Sequence, residues 1–416
     1  MRNTLNRFPL YFFISLLIFV SCDNGMEDVE VPNDFDYYVE SELITMYSEA
    51  VINATITAAM LAYPDQADAL ETIKGYIQNG VKVYKITYKT EFQDEELNAS
   101  GIVCLPDEAG SYPILSYQNG TNTLHSAAPS VDTNNTLFKI LQMMGSTGFV
   151  ITIPDYLGFG ASDNMFHPYL HKESTVQTVM DMLRAVEEMV EKDETLELDQ
   201  DIYITGYSQG GWATMALQEA LENQYSSEFN LQASSWGAGP CDLTAMNEYI
   251  LGLSEYPMPY FLGYIFNSYT ELGMTTAIED VVKEPYAGLI PTLYDGTNSG
   301  DEINSQLTTS ITDFLTADYL SNWTSDSKFE DLNNRLEENS VEAWKTSTPT
   351  MILAGTEDDF VPPVISSNIY VDFITAGSST DVVKMVPLAG LDHSGAIIPS
   401  GLASIKWFIE LKGEVQ

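Results

Sequence analysis

Cysteine, histidine and basic residues are all scarce in this chain. Its 416 residues include three cysteines, four histidines and 17 lysines and arginines. So few thiols exclude a disulfide-dense scaffold, and with so few imidazoles they leave no ligand set for a zinc cluster. The 60 acidic residues give a formal net charge of −43. Such a surface repels phosphate backbones, so no nucleic-acid partner is expected. The same charge disfavours adsorption to anionic membranes and describes a heavily solvated exterior. Internal repeats and low-complexity segments are also missing. What is present in quantity is core material: 44% of the residues are hydrophobic and 11% aromatic, far above what a disordered chain contains. By length alone the chain would hold two or three domains, but α/β enzymes of this size often form one.

The N-terminus reads as an address. Arg2 and Arg7 precede an apolar run, Phe8 to Val20, that is too short to span a bilayer and has the pattern of a secretory signal. Phe19-Val20-Ser21-Cys22 resembles a bacterial lipobox, which makes residues 1–21 the signal peptide and Cys22 the lipid-modified first residue of the mature chain. Phe19 departs from the usual aliphatic residue at that position, and a soluble secreted product is the second choice. Residues 22–36 are acidic, contain Pro32 and read as a tether. The expected location is therefore the cell envelope, on the outer membrane or cell surface, with the membrane touched only through the lipid. Cys104 and Cys241 read as buried free thiols in preference to a disulfide, since nothing in the sequence brings their Cα atoms together.

The body alternates strands and helices. A helical stretch is expected at about 38–78, then an antiparallel pair, Val81–Phe92 and Ala99–Leu105, joined by the polar turn at Gln93 to Glu96. Strands follow at 113–117, 148–154, 201–205 and 231–238, with helices at 137–144, 173–192 and 212–223; the 173–192 segment places Val176, Val179, Met180, Leu183, Val186 and Val190 on one stripe. The pattern resumes with strands at 350–354 and 382–387 and helices at 364–375 and 400–411. This order predicts an α/β fold with a mostly parallel central sheet and helices on both faces. The core comprises 37–241 and 346–416. Residues 242–345 interrupt it with Met-, Tyr- and Phe-rich segments suited to a helical cap over a pocket.

Strand 201–205 runs into Gly206-Tyr207-Ser208-Gln209-Gly210, and a helix follows at once. This G-x-S-x-G in strand–turn–helix context is the pattern of a nucleophile elbow. The turn is so tight that glycines two residues either side are needed where backbones approach. It also leaves the Gln209 N–H, at a helix N-terminus, facing the place where an oxyanion would form. A serine nucleophile requires a base and a group to orient it. His393 is the one histidine after Ser208, in a loop following a strand. The acid is expected after strand 350–354, where Glu357, Asp358 and Asp359 are adjacent and spacing does not choose between them. Asp392 is too close in sequence to reach the far nitrogen of His393.

These motifs resemble the secretory lipase family of α/β-hydrolases. The likeness is carried by Gly206 to Gly211, by Ile153-Pro154-Asp155-Tyr156-Leu157-Gly158-Phe159-Gly160-Ala161-Ser162, by His167-Pro168-Tyr169-Leu170-His171 and by Leu115 to Thr121. It is dense over about 97–216 and returns over about 350–396. The resemblance implies the pattern G-x-x-D-x-x-V-P at Gly355, Asp358, Val361 and Pro362, which selects Asp358 as the acid. It also implies a second oxyanion donor at the N–H of Thr121. Asn119 departs from a position where relatives often carry histidine. Asp155, His167 and His171 are expected to fix loops.

The expectation is an exported serine esterase or lipase. Ser208 forms an acyl-enzyme, His393 is the base, Asp358 orients it, and Gln209 and Thr121 hold the oxyanion. The substrate is a small-molecule or lipid ester, and no metal or organic cofactor is expected. Competing readings are a serine peptidase of the prolyl-oligopeptidase type, a carbohydrate esterase, and a catalytically silent binding lipoprotein. Oligomeric state, acyl chain length and the alcohol moiety are left open by the sequence.

Overall fold

The structure, a computed structural model, describes residues 35–415 apart from 133–134 and 193–194. The expected signal peptide, Cys22 and most of the expected tether lie outside the described residues. Contacts group Phe35–Gln416 as one unit.

One nine-stranded sheet organises that unit, with strands β1 (Tyr38–Tyr47), β2 (Val81–Phe92), β3 (Glu95–Pro106), β4 (Gly110–Gln118), β5 (Val150–Pro154), β6 (Leu196–Tyr207), β7 (Asn230–Gly237), β8 (Thr350–Gly355) and β9 (Val383–Leu388). Their spatial order is β1-β2-β3-β5-β4-β6-β7-β8-β9. The pairs from β5 through β9 are parallel, while β1–β2, β2–β3 and β3–β5 are antiparallel. All five residues of β5 and all six of β8 are buried, as expected of parallel strands covered on both faces. The β2–β3 hairpin turns on Gln93 and Asp94, both at positive φ (54° and 63°), the conformation that matches the twist of the flanking strands.

Helices α1 (Glu49–Ala62), α2 (Ala67–Lys74) and α3 (Thr136–Met143) pack with the C-terminal helix Ile397–Val415. Ile52, Ile73, Phe138 and Phe408 are buried in that layer's core cluster. Helices α4 (Lys172–Val190) and α5 (Gln209–Asn223) and the helix Pro363–Thr375 belong to the other cluster. Trp212 and Trp236 are fully buried there, and each such side chain contributes about 2–3 kcal/mol relative to exposure. Between β7 and β8 the chain forms eight short α-helices. Leu262, Tyr264 and Phe266 of this insertion belong to the same apolar cluster as α4 and α5.

Residues 38–47 correct the expected helix. They form β1, paired antiparallel with β2, and helix begins only after Ser48, whose side chain accepts from the Val51 N–H. Tyr38, Val39, Ile44 and Thr45 favour a half-buried pleated edge, and pairing with β2 decides the matter over helical spacing. Cys104 and Cys241 are buried free thiols, and burial pushes both well above the ordinary thiol range.

Candidate active site

The end of β6 and the start of α5 leave one residue, Ser208, to reverse the chain. Its backbone adopts φ 60° and ψ −124°, a region costing a side-chain-bearing residue about 1–3 kcal/mol. Neighbouring backbone holds it there: the Ser208 N–H donates to the Gly237 carbonyl at 2.9 Å, and its carbonyl accepts from the Gly211 and Trp212 N–H groups at 2.8 and 3.1 Å. The flanking glycines are demanded by space. A Cβ at Gly206 would sit 2.3 Å from the Gly210 carbonyl oxygen, and one at Gly210 would sit 2.0 Å from the Gln118 carbonyl oxygen.

Opposite the serine, the loop after β9 presents His393. Its Nε2 lies 2.9 Å from Ser208 Oγ, and its Nδ1 lies 2.8 Å from Asp358 Oδ2. The other Asp358 oxygen accepts the Phe360 and Val361 N–H groups at 3.0 and 2.9 Å. The buried carboxylate is therefore fixed on both sides. The His393 ring packs against the rings of Tyr207 and Phe360, with centroids 5.1 and 5.0 Å away. The Tyr207 hydroxyl donates to the His393 carbonyl at 2.8 Å. Glu357 and Asp359 are exposed while Asp358 is buried, so burial separates three carboxylates that spacing could not. Asp392 accepts from the Gly395 N–H, closing a turn beside the histidine.

The backbone after β4 runs alongside Ser208: a Cβ at Gly120 would be 3.9 Å from that of Ser208. The next residue, Thr121, shares a 3.0 Å hydrogen bond between its hydroxyl and that of Tyr169. Asn119 is buried and donates to the Pro154 carbonyl, which ties this segment to β5. Gln209, the first residue of α5, has no carbonyl one helical turn back to receive its N–H.

His167 meets that glutamine. Its Nδ1–H donates to the Leu157 carbonyl at 2.7 Å, so Nε2 is free to accept the Gln209 side-chain amide at 3.0 Å. Burial pushes the His167 pKa down to about 4, which keeps the ring neutral in this role. No local pattern signalled the contact, which spans 42 residues. Asp155 and His171 fix loops: Asp155 accepts from the Ser100 and Ser130 hydroxyls, and His171 caps α4 by accepting from the Ser174 N–H. Among the described residues no group of three or more His, Cys, Asp and Glu gathers to hold a metal ion.

Above Ser208, Tyr169 and the cap residues Leu243, Met246, Ile250 and Phe266 line a cavity of about 50 Å³. The family model for secretory lipases matches residues 123–411. The chain belongs to the secretory lipase family. This secretory lipase resembles solved structures along nearly its whole length. A candidate hydrolase of Legionella pneumophila is 25% identical with a TM-score of 0.77, over 90% of this chain and 98% of its own. The rice cell wall degrading esterase LipA from Xanthomonas oryzae is 24% identical with a TM-score of 0.73, over 90% and 97%. Candida antarctica lipase A in its closed state is 14% identical with a TM-score of 0.62, over 90% and 82%. Curated protein sequences give no match. The fold is that of the α/β-hydrolases, and family membership makes this secretory lipase a carboxylic ester hydrolase acting on small-molecule esters.

Proposed function

We propose that the protein is an exported serine esterase in which Ser208 is the nucleophile, His393 the general base and Asp358 its orienting acid. The observation that supports this most strongly is the unbroken hydrogen-bond chain Ser208–His393–Asp358 at a strained elbow. Asp358 accepts from His393 Nδ1–H, which leaves Nε2 unprotonated and able to take the Ser208 proton as Oγ attacks the ester carbonyl. The tetrahedral oxyanion is held by the N–H groups of Gln209 and Thr121, from α5 and from the segment after β4. Protonated His393 then gives its proton to the leaving alcohol, and an acyl-Ser208 intermediate remains. Water deprotonated by His393 attacks this ester, the bond from the acyl carbon to Ser208 Oγ breaks as His393 returns the proton to Oγ, and the carboxylic acid departs.

His167 serves this arrangement through Gln209. By accepting the side-chain amide it fixes the residue whose N–H meets the oxyanion. The cap forms the acyl pocket, and its aliphatic and aromatic lining selects an apolar acyl group. A cavity of about 50 Å³ is well below the range of about 300–1,000 Å³ typical of small-molecule sites. Short acyl groups therefore fit this conformation, and long ones require the cap helices to part. Fold likeness to other esterases carries no substrate information, so the acyl preference rests on this pocket. Export and lipid attachment at Cys22 rest on the N-terminal sequence pattern.

Hydrolysis of p-nitrophenyl esters from acetate to palmitate by the mature protein and by Ser208→Ala tests the proposal. The expected result is maximal kcat/KM at acetate to butyrate, lost in the variant. Activity retained by Ser208→Ala would refute the assignment of the nucleophile.

A further inference from the structure

Among the described residues, the cavity at Ser208 is small beside a second one. A half-open cavity of about 840 Å³ lies in the other helical layer, lined by β1, α1, α3 and the start of the C-terminal helix, with Thr205, Gly206 and Tyr207 of β6 as a wall. Its volume falls within the range of about 300–1,000 Å³ typical of small-molecule sites. Ser208 does not line it. Most of its wall is aliphatic, including Ile56, Leu141, Leu402 and Ile405.

Its charge is anomalous for this protein. About one residue in seven of the chain is acidic, yet among the 26 described residues lining the cavity there is no carboxylate and one cation, Lys139. Lys139 makes no ion pair with any described residue.

We propose that this cavity is a binding site for a single-chain fatty carboxylate. The aliphatic wall takes the hydrocarbon tail, and Lys139 takes the anionic head in surroundings otherwise free of charge. Tyr207 connects the site to the chemistry on the far side of β6, since its hydroxyl holds the His393 carbonyl and its ring packs on the imidazole. An occupant therefore rests against the residue that braces His393. The inference needs no ester hydrolysis at Ser208, so the two readings can fail separately.

Calorimetric titration of Ser208→Ala protein with sodium decanoate and with decan-1-ol tests the site. Both ligands are expected to bind at one site per chain. Lys139→Met should weaken decanoate at least tenfold and leave decanol within twofold, because only the carboxylate reads the cation. Gly401→Trp should weaken both at least tenfold. Gly401 lines the cavity and a Cβ there meets no atom within 4 Å, so a side chain can leave the backbone at this point without a clash. Circular dichroism and the urea midpoint check that each variant is folded. No binding by the parent, or decanoate binding unchanged in both variants, would overturn the proposal. Equal loss of decanol and decanoate in Lys139→Met would overturn the role of the head group.

Discussion

Replacing Asp358 by asparagine changes one atom and, on the geometry described, traps the histidine in the wrong tautomer. Asp358 Oδ1 accepts two backbone N–H groups, from Phe360 and Val361. An asparagine must keep its oxygen on that side. Turning it over would set an NH₂ against two buried donors, at about 1–3 kcal/mol for each group left unsatisfied. The amide NH₂ therefore faces His393 Nδ1, which can accept its hydrogen only if the imidazole proton moves to Nε2. Nε2–H then donates to Ser208 and cannot take its proton. The corresponding change in well-studied serine hydrolases lowers kcat about 10⁴-fold, which corresponds to about 5.5 kcal/mol of activation free energy. Asp359 is exposed, so Asp359→Asn is expected to change kcat less than twofold. Steady-state hydrolysis of p-nitrophenyl butyrate by the parent and both variants measures this directly. Equal losses in the two variants, or a loss of less than tenfold in Asp358→Asn, would refute the reasoning.

Three further outcomes follow from the same structure. Gly210→Ala forces a methyl to within 2.0 Å of the Gln118 carbonyl oxygen; an overpacked site of this kind costs about 1–3 kcal/mol or more, and an unshifted urea midpoint would show that the elbow is not so confined. His167 is neutral in the fold with its pKa pushed down to about 4 from an ordinary value near 6.5, so the unfolded chain binds the extra proton first. Stability from this group is complete above about pH 6.5 and is lost as pH falls towards 4, by up to about 3 kcal/mol; His167→Gln should flatten that slope in urea midpoints measured between pH 4 and 7, and an unchanged slope would exclude His167 as its source. Mass spectrometry of the mature N-terminus should find a lipid on Cys22, and an unmodified or differently cleaved N-terminus would remove the lipoprotein reading.

Much of the fold was legible because strands buried on both faces leave short continuous apolar runs in the sequence and amphipathic helices leave stripes of 3.6-residue period. The run at β5 and the stripe on α4 are cases in which local pattern and tertiary packing agree. β1 was not legible: an edge strand is defined by the neighbour it pairs with, and its mixed polar and apolar residues suit a helix equally well. At the elbow the signal is strong because crowding by the Gln118 and Gly210 carbonyls leaves glycine little alternative. Asp358 could not be separated from Glu357 and Asp359 by spacing, because what distinguishes it is burial and two backbone donors. The contact between His167 and Gln209, and the sizes of both cavities, depend on how distant helices pack and leave no local trace.

The central claim is that Ser208 becomes covalently acylated. Incubation with diethyl p-nitrophenyl phosphate, followed by peptide mass mapping, tests it most directly. One diethylphosphoryl group per chain is expected, on the peptide containing Ser208, appearing in step with loss of esterase activity. A label on another residue, or full activity after Ser208 is labelled, would contradict it.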